Sequence, residues 1–200
     1  DGGIQIESST EQAALAFYNR KNSEVISLKS DVTETRIRRS QEMSSADFIT
    51  VGSKAANYAE LANFINTADR TVVRPGFGIP FAYSEEFVQS NPKIKAMVAK
   101  ILRDPLMNRV AKVSYREAQL QALRDLMISE ESVVSDKLVD ELITIFDQQR
   151  DSKGKLRKMK LRSSTNSEDL PNFNGAGLYS SFSYKPLKKD VEKSPEEKRK

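Results

Sequence analysis

The sequence predicts an α+β domain, and three of its features support that fold class. Apolar residues in the middle of the chain recur at the i, i+3, i+4 spacing of helices that bury one face. Two later segments, 156–161 and 178–184, alternate apolar and polar residues as half-buried strands do. Glycine and proline punctuate the connections, most densely at 75–80. The 200 residues, 38% of them hydrophobic, are enough for one domain with a modest core.

The first 45 residues are predicted to be the tail of an upstream domain and a linker. Within them, residues 3–7 are a strand candidate, and Ser9-Thr10-Glu11-Gln12 resembles a capping box that opens a short helix. Residues 29–45 are polar and show no clear period. The domain itself is expected over 46–185, and the charge-rich end, 186–200, is expected to be frayed.

A strand, a turn and a helix are predicted around residue 50. Residues 47–51 are the strand candidate, Gly52-Ser53 is the turn, and alanines 55, 59 and 62 allow the following helix to pack closely on a sheet. A second strand is predicted at 71–73. The segment 75–80 that follows is a stiff connection with a proline at each end.

Three amphipathic helices are predicted in the middle of the chain. The first begins at Asn91 with Pro92 as its N1 residue, and Ser114-x-x-Glu117 is a capping box that marks the start of the second. The apolar stripe of the third is Leu138, Val139, Leu142, Ile145 and Phe146. All three stripes are predicted to face the core.

The chain contains no histidine, cysteine or tryptophan. Their absence excludes histidine general bases, phosphohistidine, disulfides and thiolate catalysis. The remaining groups, which are lysine, arginine, carboxylates, hydroxyls and backbone amides, suit the binding of phosphate better than the hydrolysis of amides. No signal peptide is recognisable and no apolar run approaches the ~20 residues of a membrane span, so a cytoplasmic protein without a membrane partner is expected.

The first candidate site is Val51-Gly52-Ser53-Lys54, at the predicted start of a helix. The N–H groups and positive dipole end of a helix N-terminus attract anions, a turn of small residues lets them approach, and Lys54 adds a full charge. The full Walker pattern is missing. From spacing alone, an ordinary glycine turn with an exposed lysine is therefore favoured.

Two further candidates lie near the end of the chain. Arg162 ends a predicted strand and is followed by Ser163-Ser164-Thr165, a combination whose guanidinium fork and hydroxyls suit phosphate oxygens. Alternatively, Thr165-x-x-Glu168 caps a helical turn, and the residues favour neither interpretation. Gly175-Ala176-Gly177 is a loop whose amides are able to surround a phosphate chain, although a hairpin-type turn is favoured there.

Three segments together resemble the nucleotide-binding domain of the phosphoenolpyruvate synthase and pyruvate phosphate dikinase family. Arg162-Ser163-Ser164 with Glu168-Asp169-Leu170-Pro171 and Ala176-Gly177 resembles the nucleotide signature of that family. The segment 51–57 resembles its opening Gly-Gly-Lys-Ala-Ala-Asn motif, and Arg74-Pro75-Gly76-Phe77 resembles its Pro-Pro-Gly-Phe turn. The segments follow the family's order over roughly 47–184. Residues 175–179 are also similar to the glucan water dikinases.

The resemblance implies the first lobe of an ATP-grasp domain, with a mixed sheet, that binds ATP. It implies that Lys54 and Arg162 contact the phosphates, Arg162 in a catalytic role. Further nucleotide contacts are implied for Gly52, Ser163, Ser164, Thr165, Gly175 and Gly177. Magnesium would be bound by acids beyond this chain, which itself has no implied metal ligand. The β-phosphoryl group would pass to a histidine on a swivelling domain of the same parent protein.

Because the chain has no histidine, it is expected to be a piece of a larger kinase or dikinase that is inactive alone. Ser53 and Leu178 depart from the family pattern, which leaves the final acceptor open between pyruvate, a glucan and another compound. An alternative function is that of a non-catalytic regulatory module, or of one that binds RNA or an acidic partner. Segment 150–162 has a local charge of +6 but no aromatic residue, so nucleic acid is disfavoured.

Overall fold

The computed structural model describes residues 8–21, 28–167, 169–170, 173–175 and 179–186. The helices are α1 (Glu11–Lys21), α2 (Phe48–Val51), α3 (Ser53–Ile65), α4 (Phe81–Ser90), α5 (Pro92–Arg103), α6 (Val113–Met127) and α7 (Asp136–Gln148). The strands are β1 (Arg38–Arg39), β2 (Phe77–Gly78), β3 (Met159–Arg162), β4 (Asp169–Leu170), β5 (Phe173–Asn174) and β6 (Ser181–Tyr184). The predicted α+β class is therefore confirmed.

The strands of the described residues form three separate two-stranded antiparallel ladders, β1 with β2, β3 with β6, and β4 with β5. The expected mixed sheet is wrong for this part of the chain. Parallel pairing needs a crossover connection between strands that lie side by side. Here β4 pairs with β5 and β3 with β6 in antiparallel fashion, and the described residues between β3 and β6 contain no helix.

The strand predicted at 47–51 is also wrong, since Phe48–Val51 forms α2. A capping box directly before it turns the chain: the Ser44 N–H donates to Asp47 Oδ2 at 2.7 Å, and the Ser44 hydroxyl accepts from the Ala46 N–H at 3.3 Å. The box opens the 3-10 turn Ser45–Asp47, which continues into α2. A local side-chain cap has therefore overridden the β-branched residues of this segment.

The strand predicted at 71–73 does not form either, because one side chain takes over the backbone hydrogen bonds of that segment. Asn66 Oδ1 accepts from the Val72 and Val73 N–H groups at 2.8 and 2.9 Å. Asn66 Nδ2 donates to the Val73 carbonyl oxygen at 2.8 Å. With these groups satisfied, the segment has no need of a neighbouring strand.

The predicted helices are confirmed, and their caps are in part different. Asn91 and Pro92 open α5 as predicted. The box at Ser114 is wrong, because α6 begins at Val113 with Lys112 as its N-cap. In α1 the capping hydroxyl belongs to Thr10, which accepts from the Ala13 N–H at 3.2 Å. The strand candidate at 3–7 and the end at 187–200 lie outside the described residues, and the domain boundaries stay predictions.

The core that supports the candidate site lies beneath α3. Met43, Val51, Ala56 and Ala59 form its buried cluster. As predicted, the alanines allow close packing, but α3 packs mainly on α2 and on the 3-10 turns Ser40–Glu42 and Ser45–Asp47, with a smaller contact to β2. This packing anchors the start of α3, which carries Lys54. No helix in the described part of the chain combines the length and apolarity needed to cross a membrane.

Candidate functional site

The start of α3 and the loop 163–167 are in direct contact, although they lie far apart in the sequence. The Ser53 N–H donates to the Thr165 carbonyl oxygen at 3.0 Å. The Ala55 N–H donates to Ser164 Oγ at 2.9 Å, across a separation of 109 residues. A helix leaves its first N–H groups without partners inside the helix, so a loop distant in sequence caps α3.

Gly52 makes this approach possible. Its backbone has φ 84° and ψ 160°, a combination adopted almost only by glycine. A Cβ atom at this position would lie 2.3 Å from the carbonyl oxygen and 2.4 Å from the carbonyl carbon of Ser164. Both the backbone angles and the close contact therefore require glycine at the junction between α2 and α3.

Lys54 extends from the first turn of α3 toward the chain that follows the glycine loop. Its Nζ lies 5.9 Å from the ring centroid of Tyr179, within range of a cation–π interaction. Gly175, the nearest described residue of the glycine loop, is buried. Gly177 lies outside the described residues. Lys54 thus meets Tyr179, two residues after the glycine loop, at the end of α3 that contacts residues 163–167, here called the hydroxyl loop.

Arg162 is the last residue of β3, opposite Ser181 of β6. It is exposed, as is Lys160 on the same face of the strand, whereas Leu161 is half-buried on the other face. Two residues after Arg162 comes Ser164, which caps α3, so their Cα atoms are at most about 7 Å apart. The strand end therefore places Arg162 beside the hydroxyl loop, on the solvated face that the alternating pattern predicted.

The loop itself is stiffened by a local hydroxyl pair. Thr165 Oγ1 and Ser167 Oγ are 3.1 Å apart, and the Ser167 N–H donates to Thr165 Oγ1 at 3.3 Å. The next described element is the antiparallel pair β4 and β5. In the alternative, Thr165 and Glu168 cap a helical turn; residues 166–167 are not helical, and Glu168 lies outside the described residues.

At this site, side chains are better placed to bind an anion than the helix amides are. The N–H groups of Ser53 and Ala55 are already bound to the loop, so these two amides are not available to an anion. Lys54, Arg162 and the hydroxyls of the loop are the groups that fit phosphate oxygens. Among the described residues, no group of three or more histidine, cysteine or acidic side chains could hold a metal ion.

The basic segment 150–162 begins as a braced turn. The Arg157 Nε donates to the Arg150 carbonyl oxygen at 2.9 Å, and Arg150 Nη1 donates to the Gly154 carbonyl oxygen at the same distance. Asp151 Oδ1 accepts from the N–H groups of Lys153 and Lys155. Two of its arginines thus stabilise the turn that leads toward β3, and a role in binding RNA or an acidic partner stays a prediction.

Two contacts near the site were not predicted. Asn166 belongs to the polar run after Arg162, but no pattern indicated that it donates to the upstream segment at Lys29 and Ser30. Tyr179 falls in the alternating pattern of the last strand, which predicts packing and not a contact with a lysine. Neither contact has a local sequence signal, because the partner lies in a remote segment.

Comparison with known proteins identifies the family. The family model described as pyruvate phosphate dikinase, AMP/ATP-binding domain, matches residues 49–195, well over half of the chain. The match contains the start of α3, the hydroxyl loop and the glycine loop, and it confirms the resemblance found in the sequence. No curated protein and no solved structure matches the chain. The chain belongs to the family of the pyruvate phosphate dikinase AMP/ATP-binding domain.

Proposed function

We propose that the chain is the ATP-binding part of a dikinase-type phosphotransferase. In this proposal it forms the first lobe of an ATP-grasp domain and binds the phosphates of ATP. The β-phosphoryl group then passes to a histidine on a swivelling domain of the same cytoplasmic parent protein. The observation that carries the proposal is the cap of α3 by Ser164, which brings the first turn of α3, with Lys54, against the loop that follows Arg162 in the chain.

Lys54 and Arg162 have the charge for this function. Phosphoryl transfer depends on positioning and on neutralising the charge of the phosphate oxygens, and in this proposal the two cations supply both. The guanidinium of Arg162 is able to bind two oxygens at once, which makes it the catalytic residue of the proposal. Lys54 acts as a point charge near the start of α3, where the helix dipole is also positive.

The hydroxyl loop complements these cations. Ser164 Oγ accepts from the Ala55 N–H, and the hydroxyl is able to donate its own proton to a phosphate oxygen at the same time. Ser163 and Thr165 flank it with two more hydroxyls. Gly52 allows the loop to approach α3, and Gly175 and Gly177 are proposed to bring backbone amides to the phosphates. Magnesium, bound by acids outside this chain, would neutralise further phosphate charge.

The residue roles are tested by nucleotide binding at low ionic strength. We expect Lys54→Met and Arg162→Met each to weaken binding of a fluorescent ATP analogue by about tenfold or more, since a hydrogen bond to a charged group contributes about 1.5–3 kcal/mol. Matched controls are Lys100→Met and Arg103→Met, which remove exposed cations from α5. Equal losses in site and control variants would contradict the assignment, because they would show a general charge effect.

Transfer to histidine is tested in the parent protein with ATP labelled at the β-phosphate. Acid-labile, base-stable label on the protein is expected, and Arg162→Met should abolish it while Arg103→Met should not. A parent that contains a histidine domain and binds ATP yet acquires no label would favour the regulatory alternative.

A further inference from the structure

An upstream segment lies against the candidate site. Asn166 Nδ2 donates to the Lys29 carbonyl oxygen at 2.7 Å and to Ser30 Oγ at 3.0 Å. Residues 28–31, here called the strap, precede the part of the chain that the family model matches. The hydroxyl loop is therefore held from two directions, by α3 through Ser164 and by the strap through Asn166.

The strap has a second anchor next to the start of α3. The Asp31 N–H donates to the Ile49 carbonyl oxygen at 2.8 Å, and the Thr50 hydroxyl donates to Asp31 Oδ2 at 3.4 Å. Thr50 is buried and lies two residues before Gly52. The strap thus bridges the two segments that form the site, one at each of its ends.

The hydrogen bonds of the Asp31 side chain favour its ionised form. Its Oδ1 accepts from the Thr33 hydroxyl at 2.7 Å and from the Thr33 N–H at 2.8 Å. These two bonds lower the pKa of Asp31; burial opposes them, and the Thr50 hydroxyl adds a smaller effect that also lowers the pKa. The carboxylate is consequently available as an acceptor at neutral pH.

Burial contributes little to holding the strap in place. Leu28 is 41% exposed, and Lys29 and Ser30 are exposed as well. A segment held by a few hydrogen bonds and little apolar burial opens at low free energy. Its docking is for that reason easily shifted by whatever binds to the loop beneath it.

We propose that docking of the strap is coupled to nucleotide binding, with Asn166 as the positioning residue that links them. The inference rests on the proposed function, because the loop that Asn166 holds is the loop proposed to bind phosphate. A docked strap keeps the loop in one conformation, so ATP binds with a smaller loss of loop entropy. By linkage, bound ATP stabilises the docked strap to the same degree.

The coupling is tested by trypsin, which cleaves after Lys29 only when the strap opens. In Asn166→Ala, cleavage after Lys29 without nucleotide should be about tenfold faster, as expected for the loss of one to two hydrogen bonds. Affinity for the ATP analogue should fall about fivefold, near the lower end of measured coupling between sites. Saturating ATP should protect Lys29 in the unchanged protein and much less in the variant.

Three controls separate coupling from general damage. Cleavage after Arg109, an exposed site in the helical middle section, should be the same in all proteins. Asn108→Ala removes an exposed asparagine remote from the strap and should change neither measurement. Asn166→Gln retains the amide donor, so it should recover part of the slow cleavage after Lys29 and part of the ATP affinity that Asn166→Ala loses. A merely structural role of the side chain would not predict this recovery.

Each outcome decides the inference. An open strap with unchanged ATP affinity in Asn166→Ala overturns the coupling while leaving the proposed function intact. Absence of ATP binding by the unchanged parent protein, which contains both lobes, overturns the proposed function, and the coupling with it, whatever the cleavage rates. If Asn166→Ala does not fold, Asp31→Ala weakens the other anchor by removing the carboxylate that accepts from Thr50, and it is judged by the same two measurements.

Discussion

Replacing Gly52 by alanine tests the junction on which the candidate site depends. The added Cβ would meet three atoms of Ser164, its carbonyl oxygen at 2.3 Å, its carbonyl carbon at 2.4 Å and its Oγ at 2.6 Å. Two of these atoms are backbone, so rotation of a side chain cannot relieve the clash. The loop has to move away from α3, and the Ala55 N–H loses the Ser164 hydroxyl that caps it.

The chain provides a matched control for this substitution. Gly154 also has a positive φ, 74°, but a Cβ atom there would find nothing within 4 Å. Gly154→Ala should therefore show backbone strain alone, about 1–2 kcal/mol. For Gly52→Ala, the strain of an almost glycine-only conformation and the lost cap together predict about 3–5 kcal/mol of destabilisation. The difference between the two variants measures the contact between α3 and the loop.

Urea unfolding followed by far-ultraviolet circular dichroism gives both free energies. We expect a lower midpoint for each variant, an unchanged slope, and a clearly larger loss for Gly52→Ala. The same loss in both variants would refute the close contact with Ser164, because only backbone angles would then distinguish glycine from alanine. If the free energy of unfolding of Gly52→Ala lies within about 0.5 kcal/mol of that of the unchanged chain, the positive-φ backbone conformation of Gly52 is refuted as well.

Two further predictions concern polar side chains that stabilise the fold. The buried Asn91 side chain accepts from the Val133 N–H and donates to the Val133 carbonyl oxygen, each at 2.8 Å. Asn91→Ala should therefore lower the free energy of unfolding by about 2–4 kcal/mol. A loss below about 1 kcal/mol would contradict this role of the side chain. Burial raises the pKa of Asp47, but the Ser44 N–H and the Arg38 guanidinium outweigh it, and the net pKa is lowered. A carboxyl with a lowered pKa stabilises the fold at neutral pH and ceases to do so as the pH falls below about 5. Asp47→Asn should accordingly flatten the acid side of the stability profile, and an unchanged acid limb would count against the pair.

The helices and the family could be predicted from the sequence because both depend on local patterns. The apolar stripes of α5 and α7 repeat every three to four residues, and each stripe is complete within one segment. The motifs around Lys54 and Arg162 were recognisable for the same reason, since each is a short run of adjacent residues. The family match over 49–195 agrees with both motifs.

The two wrong strands show where local reasoning fails. Residues 47–51 and 71–73 have the β-branched residues of strands, yet side chains of nearby residues determine their conformation. The capping box at Ser44 starts a helix in the first segment, and Asn66 occupies the backbone of the second. Intrinsic β preference is weak and needs a partner strand, so a side chain that satisfies the backbone first prevails.

The sequence by itself determined the fold class, the middle helices and the chemical groups available for binding phosphate, because composition and short-range periodicity specify all three. Only the tertiary structure decided how those groups are arranged. It showed that Ser164 caps α3 across 109 residues of sequence, and that Asn166 fastens the strap to the loop. Such hydrogen bonds join segments that have no common period, so their geometry arises only when the chain has folded.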